Sequence, residues 1–504
     1  MRKSKKDGTG LRARILTCAV SLVLLILPLL IMLLSAFALR PVYKDTFVGE
    51  LSDKYELLKS TEGEKIVVIG GSSVAFGINS EMMEEHLGMS TVNFGLYANL
   101  GTKIMLDLSR SSIGEGDIII LAPELSSQTL SLYFNAETAL QAIDGSFGML
   151  SEIDTADYLS FVGALWGFAS GKLYYTASGK TPENSGAYRK EWFNENGDNT
   201  YDRPYNVMST VQKSITLDYR VDKTDGVKTE YEKFIDYVNE YTAYCESRGA
   251  SVYFSFAPMN AAALSDYNTE ENIYAFYDNL SKSLRCRVIS NVNDYIMDEG
   301  YFFDSEFHLN NSGVTVRTVR LIDDIKRELG IDKITMSADM LPEPSGYAPV
   351  DFTEGDSENL YFTLKTVPFA SKTAVYITGL NEEGMKQTVL TVPNNINGVP
   401  VIGIEEGALS GSEVRIVYLG ENIRSLASGA LSGAENLRAV YVPRSKTMQT
   451  DAERISVPNS ADANGLCTKG APAGLKIYVP ASALEVYKQD YFWGDYKNFL
   501  EGYE

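Results

Sequence analysis

Only two histidines, His86 and His308, occur in the 504 residues, so any imidazole chemistry must run through one of them. His308 stands in Asp304-Ser305-Glu306-Phe307-His308-Leu309-Asn310, where a carboxylate and an imidazole are close neighbours. A serine hydroxyl is a weak nucleophile at neutral pH and needs a base in reach, itself held by a third group. Ser72 and Ser73 end the phrase Gly70-Gly71-Ser72-Ser73, which stops the apolar run at 65–69. His308 can be the base for Ser72, with Asp304 or Glu306 accepting from its second nitrogen. His86 is the poorer base. It falls near the end of the helix that leaves the serine turn, and the length of that helix carries it toward the far edge of the sheet.

The elements that must position these groups alternate. Apolar runs at 65–69, 91–94, 117–121, 251–256 and 288–290 read as strands, and segments at 81–87, 103–110, 230–245, 271–284 and 314–329 read as helices. Continuous rather than alternating apolar strands fit a parallel sheet covered on both faces, so residues 64–332 are expected to form an α/β domain. In such a sheet the carboxyl ends of the strands line one edge, where ligands bind. Ser72 follows the first strand, Asn93 and Gly95 the second, Glu124 the third and Asn260 a later one, so residues far apart in sequence can meet in one cleft. Residues from about 125 to 225 read as an insertion with helices at 136–143 and 158–168 and long loops. Before the domain, 40–63 reads as a stalk with a short helix at 51–58.

Composition narrows the partners. Forty-five Lys and Arg against 66 Asp and Glu give a net charge of −21, which excludes nucleic acid because a phosphate backbone demands a cationic face. Four cysteines without a C-x-x-C pair suggest neither a disulfide scaffold nor a zinc site; Cys245 and Cys286 read equally as a bridge or as free buried thiols. Neither a metal nor a cofactor is expected. Residues 1–14 carry six cations against Asp7, whereas 15–39 carry no charge. Twenty-five helical residues cover roughly 37 Å, enough for a ~30 Å hydrocarbon core. The positive-inside rule then leaves 1–14 cytoplasmic and exports the rest, at −26. The alternative is a signal peptide cleaved near Ala38, after Ala36-Phe37-Ala38.

Beyond a Pro- and acid-rich linker at 333–358 the chain repeats itself. Gly407-Ala408-Leu409-Ser410-Gly411 returns as Gly429-Ala430-Leu431-Ser432-Gly433, and Val401-Ile402-Gly403-Ile404 matches Ile423-Arg424-Ser425-Leu426 at the same offset of 22. Tyr441-Val442-Pro443 returns as Tyr478-Val479-Pro480. A period near 22 with alternating apolar residues marks a β-rich repeat solenoid over 359–504, which needs caps. The tail, with Tyr491, Phe492, Trp493, Tyr496 and Phe499, supplies one. The pattern resembles the BspA-type leucine-rich repeats of bacterial surface proteins.

The serine and histidine blocks resemble those of the SGNH (GDSL-type) hydrolase superfamily, whose nucleophile follows the first strand in a Gly-Asp-Ser block and whose base lies in a late Asp-x-x-His block. The resemblance implies a flavodoxin-like three-layer parallel sheet, Ser72 as nucleophile, and Asp304 and His308 as its partners. It further implies Asn93-Phe94-Gly95 as the block that supplies an oxyanion amide. The chain departs from the pattern at three places. Gly71 stands where the family has aspartate, which leaves Ser73 as an alternative nucleophile. The acid precedes the histidine by four residues instead of three. Pro123-Glu124 replaces the third block, so its side-chain oxyanion donor is missing and Glu124 reads as a capping or gating carboxylate. The phrase is not the Gly-x-Ser-x-Gly elbow of α/β-hydrolases, because Val74 fills the second glycine. The topology is similar to that of membrane-anchored relatives that assist O-acylation of cell-wall polymers. What this implies is a surface esterase or O-acyltransferase acting on a cell-wall polymer or extracellular polysaccharide, with a membrane-bound acyltransferase as partner. The alternative is a non-catalytic adhesin or scaffold that binds protein or glycan through its repeats.

Overall fold

The computed structural model describes residues 7–182, 186–208, 211, 213–220, 228–346, 352–369, 372–449, 453–458, 465–468, 470–490 and 492–504. The cations at 2–6, Tyr491 and part of the linker expected at 333–358 lie outside the described residues. Helix α1 (Asp7–Phe37) contains the stretch Leu16–Phe37, 22 residues of mean hydropathy 2.8, long and apolar enough to cross a membrane or to be a signal sequence. Leu22, Leu24 and Leu30 are exposed, whereas Ser35 and Ala36 in its last turn are buried.

The chain then builds a parallel sheet from β1 (Lys65–Gly70), β2 (Ser90–Gly95), β3 (Ile118–Leu121), β4 (Ser251–Phe254) and β6 (Arg287–Val288), in the order β2-β1-β3-β4-β6. β1 and β3 are buried along their whole length, and the period of two sorts the side chains of the sheet between two cores. Val67, Ile69, Ile119, Leu121, Val252 and Phe254 enter one core, shared with α2 (Glu50–Ser60), α5 (Gly101–Ser109), α8 (Glu230–Ser247) and α9 (Glu270–Ser283). Ile66, Val68, Ile118 and Ile120 enter the other, against Met83 of α4 (Ser80–Leu87) and Leu321, Ile322 and Ile325 of α10 (Asn311–Glu328). Because β1 pairs with both β2 and β3, the winding reverses between β1 and β3. Doubly wound sheets bind ligands at the carboxyl ends of the strands at such a point. A two-residue strand β5 (Met259–Asn260) pairs in parallel with β7 (Ile296–Met297) outside the main sheet.

One expectation is corrected and one helix boundary moves. Residues 40–63 do not stand apart as a stalk: Tyr43, Phe47, Leu51, Tyr55 and Leu58 are buried in the main core; Leu51, Tyr55 and Leu58 share one face of α2 by their spacing of four and three, and Tyr43 and Phe47 enter from the turns before it. The insertion is likewise integral, with Leu140 of α6 (Ala136–Ala142) and Phe161 and Phe168 of α7 (Tyr158–Ser178) in the same core. Helix α7 runs ten residues past its expected end at 168. Its one charge, Lys172, is buried against Asp144, Nζ to Oδ1 2.6 Å. Asp144 also accepts from the amides of Val42 (2.7 Å) and Tyr43 (3.2 Å), and Lys172 donates to the Ala36 carbonyl at 3.0 Å. The pair therefore ties the end of α1, the following turn and α7 together. Removing one member strands a buried charge, so Asp144→Ala is expected to destabilise the detergent-solubilised chain by about 3–5 kcal/mol in denaturant titration. A loss below about 1 kcal/mol, the scale of an exposed pair, would refute that role. All four cysteines are free; Cys245, Cys286 and Cys467 are buried.

The C-terminal region has its own core. It opens with an antiparallel hairpin, Phe362–Phe369 against Lys372–Leu380. Five strands then stack in parallel: Val389–Thr391, Ile416–Tyr418, Ala439–Tyr441, Lys476–Pro480 and Leu500–Tyr503. The repeated phrases meet in space. Gly403 pairs with Ser425 and Ile404 with Leu426, both at the sequence offset of 22. Gly407 N–H donates to Gly429 O and Gly411 N–H to Gly433 O, each at 2.9 Å. These four glycines have φ of +64° to +73°, a turn conformation that a side chain would strain. Tyr487, Trp493 and Tyr496 close the end of the stack, each at most 2% exposed.

Candidate active site

Ser72 opens a one-turn helix, α3 (Ser72–Ala75), immediately after β1 and Gly71. The loop before α10 brings His308 to it: His308 Nε2 stands 2.8 Å from Ser72 Oγ, and His308 Nδ1 stands 2.8 Å from Asp304 Oδ1. With Nδ1 donating to the carboxylate, Nε2 is left as the acceptor for the serine proton. The loop is pinned on both sides. Phe303 N–H donates to His308 O at 2.8 Å, and Ser305 Oγ accepts from His308 N at 3.2 Å. Asn310 caps α10 by accepting from Gly313 N at 3.0 Å and donates to the carbonyls of Gly300 and Phe302. Ser72 and His308 are each 8% exposed.

Three side chains that the sequence did not single out support the imidazole. Tyr188 O–H donates to Asp304 Oδ2 at 2.8 Å and lies 3.2 Å from His308 Nδ1. Phe76, four residues beyond Ser72, stacks on the imidazole with ring centroids 4.6 Å apart and 12° between planes. Arg203 lies 5.0 Å from the Phe76 ring centroid and donates to the carbonyls of Leu309, Asn199 and Phe76. Phe76 was findable, because a residue at i+4 shares the helical face of Ser72. Tyr188 and Arg203 fall in the segment whose pattern carries no periodic signal.

The electrostatics follow from burial and pairing. Burial pushes the Asp304 carboxyl up. The His308 charge, hydrogen bonds from His308 and Tyr188 and the charge of Arg454 outweigh it and hold the group below the ordinary carboxylate range. Burial, then the Asp304 carboxylate, push the Tyr188 phenol well above its usual value, so it remains a donor. Burial lowers Arg203 to about 10, opposed by Asp304 and Tyr188.

The remaining candidates divide. Glu124 reaches the serine: its Oε1 accepts from Ser73 N–H at 2.7 Å and lies 3.5 Å from Ser72 Oγ, and the side chain is buried. Its Oε2 has no hydrogen-bond partner among the described residues. The fully buried Arg317 of α10 donates to Ser73 O, and Glu124 is among the groups that oppose the lowering of its pKa. Ser73 Oγ is also buried without a partner among the described residues, so the hydroxyl that meets the imidazole is that of Ser72.

Asn93 is fully buried and turned to structure: its Nδ2 donates to Val74 O and Asp198 Oδ1 and its Oδ1 accepts from Gly95 N–H at 3.2 Å. The amide expected to meet an oxyanion is thus already engaged. Asn260 caps a short turn by accepting from Ala262 N–H at its Oδ1, and its backbone N–H donates to Glu306 O; its buried side-chain Nδ2 has no hydrogen-bond partner among the described residues. Glu306, the alternative acid, accepts from Ser214 Oγ. His86 lies in the last turn of α4.

Fold and site together define an α/β protein that carries a Ser–His–Asp hydrogen-bonded array at the carboxyl edge of a parallel sheet. No protein-family model matches the chain, and no curated protein or solved structure does either.

Proposed function

We propose that the chain is a membrane-anchored, extracytoplasmic esterase or O-acyltransferase of SGNH type, acting on acyl groups of a cell-wall polymer or extracellular polysaccharide, and that its C-terminal stack is a leucine-rich-repeat solenoid. One observation carries this reading: Ser72, His308 and Asp304 form a continuous hydrogen-bonded line although the acid lies 232 positions after the serine. Ser72 Oγ attacks the acyl carbonyl while His308 Nε2 takes its proton. That proton then passes to the departing alkoxide, and Asp304 stabilises the imidazolium formed between. Water or a sugar hydroxyl next attacks the acyl-serine, with His308 again as base, to give hydrolysis or transfer. The strand order β2-β1-β3-β4-β6 supports the family likeness, since doubly wound sheets of this order bind ligands at the β1/β3 crevice.

A second reading, a non-catalytic surface scaffold, draws on one amide of the serine turn and one at the end of β2. Ser73 N–H is held by Glu124 and Gly95 N–H by Asn93, which leaves both to be freed before they can serve an oxyanion. The repeats offer less to a glycan than their aromatics suggest. Tyr418, Tyr441 and Tyr478 stack on one another at 4.7 and 4.6 Å, so Tyr441 in the middle has both ring faces turned to its neighbours.

The full chain in detergent, treated with a fluorophosphonate probe, is expected to label on Ser72. Labelling should be lost in Ser72→Ala and persist in Ser73→Ala. Absence of labelling, or labelling that survives Ser72→Ala, would leave the scaffold reading.

A further inference from the structure

Helix α7 has no charged side chain facing water. Over Tyr158–Ser178 the only ionisable charge is Lys172, and it is buried and paired with Asp144. Phe161, Phe168 and Lys172 face the protein. On the opposite side Leu159 is 83% exposed, Val162 61%, Trp166 63% and Leu173 44%. Steps of three, four and seven residues place these four on one helical face. A surface helix of a soluble domain carries charges on that face. Here charges return only past the helix ends, at Asp157, which pairs with Lys103, and at Lys180.

The position of this face identifies what covers it. Helix α7 packs against α1, and the contact involves the last turns of α1. Lys172 donates to Ala36 O, and Phe37 meets Phe147, which in turn meets Phe168. Those turns belong to the apolar stretch Leu16–Phe37. At 1.5 Å per residue, Met32 to Phe37 covers about 8 Å, the depth of the headgroup and upper acyl region in which amphipathic helices lie. A helix alongside those turns shares their depth.

We infer that the Leu159–Val162–Trp166–Leu173 face of α7 lies in the outer interfacial layer of the bilayer that α1 crosses, as a second, non-spanning membrane contact. This rests on the reading of α1 as an uncleaved anchor. An exposed tryptophan with tyrosines on either side suits that layer, where rings with a polar handle accumulate. The contact also fixes how the domain stands on the membrane. Tyr43 packs on Phe168 of α7, and Phe47 packs on Tyr188, which bonds Asp304. The Ser72 array is therefore only a few side chains from the lipid surface.

The full chain, reconstituted into phosphatidylcholine–phosphatidylglycerol vesicles with bromine on the upper acyl carbons, tests this. Of the three tryptophans, Trp493 is buried and Trp166 is the one on this face. Bromine is expected to quench part of the tryptophan emission, and that part is expected to vanish in Trp166→Phe. Val162→Glu with Leu173→Glu, both at exposed positions, is expected to abolish the same quenching while leaving the unquenched emission unchanged. A chain that resists alkaline carbonate washing but shows no Trp166-dependent quenching overturns the inference alone. A chain that washes off the vesicles overturns the anchor reading as well. If Trp166 is open to aqueous iodide in vesicles and shielded only in native membranes, another membrane protein covers the face and the lipid contact is refuted.

Discussion

Asp304→Asn is expected to slow acylation of Ser72 by about 10⁴-fold, the scale seen when a triad carboxylate becomes an amide without moving. The cause is a proton on the wrong nitrogen. The carboxylate accepts from His308 Nδ1 at 2.8 Å, which keeps Nε2 unprotonated toward Ser72 Oγ. An asparagine can offer its N–H₂ to Nδ1 instead, which moves the ring proton to Nε2 and leaves the serine no acceptor. The pKa of Asp304 is lowered in the folded chain, so its contribution to stability is present above the ordinary carboxylate value near 3.9 and is lost only as pH falls through the depressed value. Across neutral pH the wild type therefore keeps its orienting charge. Tyr188→Phe is the matched control. It removes one hydrogen bond to a charged acceptor, a contribution of about 1.5–3 kcal/mol, and should cost at most about a hundredfold. Rates of fluorophosphonate labelling and of acyl-ester turnover both report the difference. A rate within tenfold of wild type for Asp304→Asn would remove the carboxylate from the mechanism.

What the sequence discloses of this architecture is what has short-range causes. The runs at 65–69, 91–94 and 117–121 become β1, β2 and β3 within one or two residues, because burial of both faces leaves a continuous apolar signature. Ser72, Gly95 and Glu124 converge on one edge because parallel strands must end there. The offset of 22 reappears as strand register because each repeat buries its apolar residues only against the next. The features that stay hidden depend on pairings across long separations. Lys172 looks like a break in an apolar helix until Asp144 neutralises it from 28 residues away. Tyr188 reaches Asp304 across 116 residues. Asp304 and Glu306 are equal candidates in the string, and only the path of the loop turns one toward His308 and the other toward Ser214.

Glu124→Gln is expected to raise the rate of ester cleavage by about 10²–10³-fold. The buried carboxylate lies 3.5 Å from Ser72 Oγ and holds the Ser73 amide, beside the place where negative charge grows on the attacked carbonyl oxygen. A like charge about 4 Å away costs on the order of 4 kcal/mol at an effective dielectric near 20. A single well-placed donor in the same position is worth about 10²–10³ in rate. Glutamine removes the first effect and supplies the second. A Cβ at Gly71 would stand 2.4 Å from Glu124 Oε2, so a side chain at 71 requires the Glu124 carboxylate to move. The Glu124 charge also acts on the buried guanidinium of Arg317, whose Nε and Nη2 have no acceptor among the described residues. Glu124→Ala separates the two effects: it removes the like charge without adding a donor, so its gain should be smaller than that of Glu124→Gln. A tenfold or greater loss in Glu124→Gln, measured as acyl-ester turnover at saturating substrate, would invert the assignment and make Glu124 a participant in proton transfer rather than a brake on it.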